Sequence, residues 1–96
     1  MGTSLRNAEQ GDASSQYNVA IFYHYGTGVA ESGTEAFKWY RRAAEQNDSL
    51  AQRYVGNCYS QGDGVAVDKQ EALKWLRKSA DQGHEASKET LKEMEG

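Results

Sequence analysis

Apolar residues recur along the chain every three or four positions, which is the spacing of amphipathic helices. The first such stripe comprises Ala13, Val19, Ala20 and Tyr23. The second comprises Ala36, Tyr40, Ala43 and Ala44. Gly26 follows the first stripe, and a glycine can end a helix in the left-handed conformation. The pattern therefore predicts short helices that are joined in pairs by a glycine loop.

This pair of stripes occurs twice, because residues 47–82 repeat residues 11–46 without a gap. Fifteen of the 36 aligned positions are identical. Trp39 and Trp75 stand at the same place in both repeats, so we expect them in the core or between repeats. If they are buried, their ring nitrogens need hydrogen-bond acceptors.

The same register continues beyond both repeats, since Ala8 matches Ala44 and Leu91 takes the place of Val19 and Val55. We therefore expect a single domain over residues 1–96. Its parts are the end of a preceding unit at 1–10, repeats at 11–46 and 47–82, and a C-terminal capping helix at 83–96.

Each predicted helix within the repeats begins at a candidate N-cap residue. Asp12 and Asp48 precede the first helices, where a carboxylate accepts hydrogen bonds from the first free amides. Capping boxes, in which an acid follows the cap by three residues, precede the second helices. These boxes are Ser32 with Glu35 and Asp68 with Glu71.

The loop between the helices reads Gly-x-Gly-Val at residues 26–29 and again at 62–65. A phosphate-binding loop is disfavoured there, because the preceding strand, the third glycine and the P-loop lysine are missing.

A tyrosine precedes this glycine loop and the segment E-A-x-K-W-x-R follows it in both repeats. The whole pattern closely resembles the Sel1-like repeat, a relative of the tetratricopeptide repeat.

The resemblance to this family implies an all-α fold, a right-handed α/α superhelix of antiparallel helix pairs. The first helices would line a concave surface and the second helices would form the convex back. Proteins with such repeats generally act as adaptors and scaffolds, so the expected function is non-enzymatic binding of a protein or peptide.

The candidate partner-binding residues are those of the first helices that differ between the repeats and would face the concave side. In the first repeat these are Ser14, Tyr17, Ile21, His24 and Tyr25. In the second repeat they are Leu50, Arg53, Asn57, Ser60 and Gln61. Tyrosine and arginine provide large contact areas and directional hydrogen bonds at interfaces. Alternatively, Tyr17, Ile21 and Tyr25 would pack against a preceding unit.

Composition narrows the classes of partner. The net charge of −3 disfavours nucleic acid and anionic membranes as partners. No signal peptide is recognisable, and no apolar run approaches the roughly 18 residues of a membrane helix. If the sequence is full length, this predicts a cytoplasmic protein.

Candidate chemistry is sparse in this sequence, and we expect neither cofactor nor metal nor catalytic residues. Cys58 is the single cysteine, so it cannot form an intramolecular disulfide, and we expect it to be a small packing residue. His24 and His84 have no second histidine or cysteine at a ligand spacing, which favours ordinary surface positions.

Two alternatives to the adaptor remain open. Some cysteine-rich relatives in the family resemble penicillin-binding hydrolases, but they carry paired cysteines in every unit, unlike this sequence. The chain could also be a structural segment whose apolar ends stack head to tail. Against stacking, Lys92 and Glu95 replace the small residue and the tyrosine of the repeat, as a polar cap would.

Overall fold

A computed structural model describes residues 2–95 of the protein and contains six α-helices in that range. They are α1 (Gly2–Glu9), α2 (Ala13–Tyr25), α3 (Gly33–Glu45), α4 (Ser49–Gln61), α5 (Lys69–Asp81) and α6 (Glu85–Glu95). The described part of the chain contains no β-strand. The all-α prediction is confirmed.

Each helix packs mainly on the helices next to it in the chain, which gives an elongated stack of 42 × 24 × 16 Å. Helices α2 and α3 form one pair, α4 and α5 form the next, and α3 packs against α4 between them. Packing restricted to chain neighbours is the property of a solenoid. The structure thus confirms the predicted superhelix of helix pairs.

The two aspartates before the first helices behave differently. The Asp48 carboxylate accepts a hydrogen bond from the Ala51 amide at 3.1 Å, as expected of an N-cap. Asp12 occupies the corresponding position, but its side chain accepts from the Ser15 hydroxyl at 2.6 Å and from no helix amide. The predicted side-chain cap at Asp12 is therefore wrong, because the neighbouring hydroxyl competes successfully for the carboxylate.

Each capping box before the second helices forms one of its two hydrogen bonds, the one from the acidic residue's amide to the cap side chain. The Ser32 hydroxyl accepts from the Glu35 amide at 3.2 Å, as predicted. The Ser32 amide, however, donates to the Tyr23 carbonyl at 2.9 Å, so no reciprocal bond from the Glu35 side chain is needed. Asp68 makes the same two bonds in the second repeat, at 3.2 and 2.9 Å. The second bond ties the start of each second helix to the preceding first helix.

The glycine loop of the second repeat packs against the first repeat. Gly64 has a φ of 74°, which a glycine adopts without steric cost. A Cβ atom at this position would lie 2.2 Å from the Gly33 carbonyl oxygen at the start of α3. Only glycine therefore lets this loop approach α3 so closely.

Trp39 and Trp75 are both buried, with 5% and 3% of their surfaces exposed. Their surroundings match as well, since the Arg42 guanidinium lies 4.5 Å from the Trp39 ring and the Lys78 ammonium 4.7 Å from the Trp75 ring. Neither ring nitrogen has an acceptor within residues 2–95. The predicted packing is confirmed, whereas the expectation that the ring nitrogens find acceptors is not met within residues 2–95.

A buried glutamine on α2 connects three successive helices. The Gln16 side-chain amide donates to the Ala8 carbonyl near the end of α1 at 3.0 Å. Its side-chain oxygen accepts from the Gln46 amide, just after α3, at 2.9 Å. Because Gln16 is only 5% exposed, these bonds replace those that water would otherwise make. Gln16 thus fixes the positions of α1 and α3 relative to α2.

The second repeat makes the same connections through Gln52, which is 1% exposed. Its amide donates to the Ala44 carbonyl at 3.2 Å, and its oxygen accepts from the Gln82 amide at 2.9 Å. The series ends at α6, where Lys88 occupies the position of the glutamine. There the Ser87 hydroxyl donates to the Ser79 hydroxyl at 2.7 Å instead.

Helices α4 and α5 approach closely at Gly56. A Cβ atom there would lie 2.6 Å from Leu76 Cγ and 3.1 Å from the Ala72 carbonyl oxygen. The first repeat has Ala20 and Tyr40 at the corresponding positions, and both are buried. A small residue on the first helix thus accommodates a large residue on the second.

Helix α6 covers the last apolar surface of the stack. Leu91 packs with Leu76 of α5, and Met94 packs against the same cluster. The Arg77 guanidinium forms an ion pair with the Glu95 carboxylate across α5 and α6. In the preceding repeat the corresponding contact is a hydrogen bond from Arg41 Nη1 to the Tyr59 hydroxyl, at 2.7 Å.

We expect Gly56→Ala to lower the free energy of unfolding, since overpacking costs about 1–3 kcal/mol and exceeds the roughly 1 kcal/mol that alanine gains in a helix. Urea unfolding followed by circular dichroism measures the difference. Gly2→Ala is the control, because a Cβ atom there meets nothing within 4 Å. A Gly56→Ala protein that is more stable than the wild type would contradict the close approach of α4 and α5.

We expect Gln52→Leu to cost about 1–3 kcal/mol of stability, because the buried Ala44 carbonyl loses its hydrogen bond. Urea unfolding measures this loss as a lower midpoint, with an unchanged dependence of the unfolding free energy on urea concentration. Gln70→Leu makes the same chemical change at an exposed position of α5 and should leave the stability nearly unaltered. Equal effects of both substitutions would contradict a structural role of the buried amide.

Candidate functional site

The ten predicted partner-binding residues all lie on α2 and α4, and none of them is buried. We call them the α2–α4 surface. Its members are Ser14, Tyr17, Ile21, His24, Tyr25, Leu50, Arg53, Asn57, Ser60 and Gln61. Tyr25 and Leu50 are the large hydrophobic members that are most exposed, at 64% and 42%. Side chains of this kind are available for contact with another molecule.

Other members of this surface are anchored in the fold. Tyr17 and Ile21 pack against the core from one side. The Tyr17 ring lies 5.8 Å from the Tyr40 ring and 5.9 Å from the Tyr54 ring, measured between centroids. Tyr17 therefore contacts α3 and α4, the helices that follow it in the chain.

Five rings from α2, α3 and α4 form an aromatic cluster that comprises Tyr17, His24, Tyr25, Tyr40 and Tyr54. Tyr40 and Tyr54 are stacked with centroids 4.8 Å apart, and His24 stacks on Tyr25 at 4.6 Å. His24 also presents an edge to Tyr40 at 6.2 Å. Contacts of this geometry add to the stabilisation from burial.

Sequence analysis missed two members of the aromatic cluster as parts of a site. Tyr40 was assigned to the apolar stripe of α3, and it is indeed buried, at 1% exposure. Tyr54 was not singled out, although Asn18 occupies its position in the first repeat. The difference between the repeats at this position was the signal that could have identified Tyr54.

Burial raises the pKa of two phenols in this cluster, those of Tyr17 and Tyr40. Burial, together with the hydroxyl of Tyr54, raises the pKa of Tyr17 to about 12. Burial likewise raises the pKa of Tyr40 far above its usual range. The Tyr40 hydroxyl lies 3.4 Å from His24 Nδ1, so the two groups share a hydrogen bond whose direction depends on the imidazole tautomer. At neutral pH these tyrosines can therefore donate hydrogen bonds.

Arg53 lies along the edge of the aromatic cluster. Its guanidinium carbon is 5.7 Å from the Tyr54 ring centroid, within the range of a cation–π contact. Its Nε atom is buried and has no hydrogen-bond partner among residues 2–95. Arg53 thus combines a positive charge with a position that is fixed by an aromatic neighbour.

A cavity of about 340 Å³ opens beside the aromatic cluster, where α2 and α4 end and α3 begins. It is lined by His24, Tyr25, Glu31, Gly33, Ala36, Tyr40, Cys58 and Asp63. Sequence analysis did not predict this cavity. Its lining comes from both repeats and from two loops, so no single segment of the sequence indicated it.

Cys58 is buried, as predicted for a packing residue. Burial, and then the nearby charge of Asp63, raise the pKa of its thiol to about 11. The thiolate is the nucleophilic form of cysteine, so this thiol is poorly suited to nucleophilic attack at neutral pH.

The described residues contain no cluster of three or more histidine, cysteine and acidic side chains that could hold a metal ion. His84 precedes α6 and is half-buried, and its Nε2 atom has no partner within residues 2–95. None of the helices between residues 2 and 95 combines the length and the apolar character required to cross a membrane.

Comparison with solved structures places the chain among known repeat proteins. It superposes on a Sel1 repeat protein from Oxalobacter formigenes with a TM-score of 0.88 and 38% identity. The match covers 90% of this chain and 65% of that one. It also superposes on c5321, a protective antigen of uropathogenic Escherichia coli strains that displays an SLR fold. That match has a TM-score of 0.86 and 38% identity, and covers 88% of this chain and 18% of the other.

The chain thus spans less than two thirds of the length of both structural relatives. No protein in a search of curated sequences matches it. The family model of the Sel1 repeat matches residues 13–48 and 49–84, two adjacent segments that together cover most of the sequence. Since the sequence repeat, the helix pairs and the family match agree, the chain belongs to the Sel1 repeat family.

Proposed function

We propose that the protein is a non-enzymatic module that binds a protein or peptide through the α2–α4 surface. Sel1 repeat proteins typically serve as scaffolds for protein interaction, which gives the general class of function. The specific surface is our inference from how the two repeats differ. Two repeats offer a short contact surface, so we expect micromolar affinity, about 8 kcal/mol of binding free energy.

The observation that carries this proposal concerns aligned positions of the two repeats on α2 and α4. A buried core position keeps the same residue in both repeats, whereas five exposed positions do not. Val19 and Val55 are identical between the repeats, and both are fully buried. All five pairs of the α2–α4 surface differ between the repeats, and all ten residues have surface exposed to solvent. The buried valines that maintain the stack are thus repeated, while the solvent-exposed residues of the α2–α4 surface are free to specialise.

The burial pattern has exceptions on α3 and α5. Tyr40 and Leu76 differ between the repeats, and yet both are buried. Gly56 lies against Leu76, and Ala20 takes the position of Gly56 in the first repeat, so both differences lie within the core. On the first helices, two pairs of small residues also differ between the repeats and are buried, Ser15 with Ala51 and Ala20 with Gly56. The inference is therefore restricted to the five pairs of the α2–α4 surface, whose members both differ and are exposed to solvent.

Two features favour binding over catalysis. Sel1 repeat proteins are generally non-enzymatic scaffolds. The raised pKa of Cys58 also argues against the hydrolase alternative, since a neutral, buried thiol is a weak nucleophile. Release of chromophore from a chromogenic β-lactam would revive that alternative.

Head-to-tail self-association is disfavoured by the outer face of α6. Lys92 stands at the position of Ala20 and Gly56, where the next helix would have to approach closely. Lys88 and Glu89 are also exposed on this helix. Burying these charges without partners would oppose stacking. We therefore favour a partner other than a second copy.

We expect the double variant Tyr25→Gln, Leu50→Ser to weaken partner binding by about tenfold or more, because exposed aromatic and aliphatic anchors dominate interface energies. Each substitution introduces the residue of the other repeat, so the fold already tolerates it at the equivalent position. Pulldown with mass spectrometry identifies the partner, and calorimetry with that purified partner measures the affinity.

Val67→Ser is the matched control for this variant. Val67 is 65% exposed and lies in the loop before α5, outside the α2–α4 surface. The control should bind the partner like the wild type, and all variants should retain the helical circular dichroism spectrum. Unchanged affinity of the double variant, or an equal loss in the control, would contradict the assigned surface.

We expect the molar mass measured by light scattering to stay that of a monomer as the concentration rises. Lys92→Ala restores a small residue like Ala20 and should increase association, because it removes the charge that opposes stacking. Lys69→Ala, an exposed lysine on α5, serves as the control. A wild-type mass that grows with concentration would instead support head-to-tail stacking.

A further inference from the structure

The cavity beside the aromatic cluster is large enough to take one side chain. Its volume of about 340 Å³ lies at the lower end of the roughly 300–1,000 Å³ that small-molecule sites occupy. It sits between the two repeats, because Tyr25 comes from the first repeat and Cys58 and Asp63 from the second. Two members of the α2–α4 surface, His24 and Tyr25, line it.

One wall of this cavity is aromatic. His24 and Tyr25 are stacked with an interplanar angle of 29°, and Tyr25 remains largely exposed. The Tyr40 hydroxyl, which also lines the cavity, lies 3.4 Å from His24 Nδ1. The face of a tyrosine ring attracts cations through its quadrupole. An aromatic wall with an exposed tyrosine therefore suits a flat, positively charged group.

Negative charge enters the cavity from the two loops, through Glu31 and Asp63. Neither carboxylate forms an ion pair with any residue between 2 and 95. Within this part of the chain, no lysine or arginine lines the cavity. Burial raises the pKa of both Tyr40 and Cys58, so neither group adds a charge at neutral pH. Among the described residues, the two carboxylates thus have no counter-charge.

Gly33 places one of these carboxylates inside the cavity. A Cβ atom at residue 33 would lie 2.8 Å from Asp63 Oδ1, so a side chain at this position would displace the carboxylate. The contact also brings Asp63 to the first residue of α3, where a negative charge is favoured by the helix dipole. The second repeat thus contributes an acid to a cavity whose aromatic wall belongs to the first.

We propose that this cavity binds the guanidinium group of an arginine side chain from the partner protein, which rests on the proposed function as a binding module. A guanidinium is planar and can stack on Tyr25 while its N–H groups donate to carboxylates in two directions. A lysine ammonium matches the charge but offers neither the planar stacking nor the fork of donors. The cavity therefore recognises a basic residue, and prefers arginine.

The first test uses a small probe and the wild-type protein. Nα-acetyl-arginine amide is titrated into ¹⁵N-labelled protein, and the amide signals of Tyr25, Gly33 and Asp63 are followed by NMR. Nα-acetyl-citrulline amide has nearly the same shape without the charge. We expect saturable shifts with the arginine probe, weaker binding of the lysine analogue, and none with citrulline. Equal shifts with arginine and citrulline, or tighter binding of lysine, would overturn the proposal.

The second test uses the double variant Glu31→Gln, Asp63→Asn. Removing both carboxylates should weaken binding of the arginine probe by about tenfold or more, because charge-assisted hydrogen bonds are lost. Glu89→Gln, Asp81→Asn removes the same net charge at exposed positions away from the cavity and is the matched control. Equal probe affinity in the two double variants would show a general charge effect and refute the site.

Asp63 also faces the start of α3, so its loss could lower stability. The single variant Glu31→Gln, which leaves that contact intact, should still weaken probe binding. Binding of the arginine probe without any captured partner would uphold the cavity and reject the proposed function. Conversely, a partner that depends on Tyr25 and Leu50 but not on Glu31 and Asp63 would uphold the function and reject the arginine site.

Discussion

Two buried glutamines, one in each repeat, tie the ends of successive helices together. Gln16 and Gln52 each donate to a carbonyl near the end of the preceding helix and accept from the glutamine that follows the next helix. A buried side-chain amide requires hydrogen-bond partners, because an unpaired buried polar group costs more free energy than a formed hydrogen bond contributes. Each glutamine thereby fixes the relative position of three consecutive helices, and together the two glutamines order α1 to α5.

The candidate site depends on this arrangement more than on any single helix. With α3 held between α2 and α4, Tyr40 reaches the space between the two first helices and stacks on Tyr54. Gly64 brings the second loop against the start of α3, next to Asp63. Rings from one repeat and a carboxylate from the other thus meet at one cavity. The packing of the repeats therefore produces a polar, aromatic pocket that neither repeat contains alone.

Much of the fold could be predicted from local patterns. The repeat of 36 residues, the helix pairs, the αL glycines such as Gly26 and the buried tryptophans all follow from residue type and spacing. Predictions that depended on competition between partners were less reliable. The Ser15 hydroxyl donates a hydrogen bond to the Asp12 carboxylate, which was predicted to accept from helix amides. The Ser32 amide donates to a backbone carbonyl and not to the Glu35 side chain. The spacing of residues in the sequence indicates that two groups can form a hydrogen bond. It does not indicate which of several donors or acceptors lies closer in the folded structure.

The sequence by itself determined the helices, their pairing and the set of positions on the first helices that differ between the repeats. This is because helix periodicity and glycine conformations are local properties of the chain. Only the tertiary structure decided that Tyr54 joins Tyr40, and that Glu31 and Asp63 share one cavity. Those neighbours are brought together by helices stacking across the repeat boundary, at distances and angles that the spacing of residues along the chain does not specify.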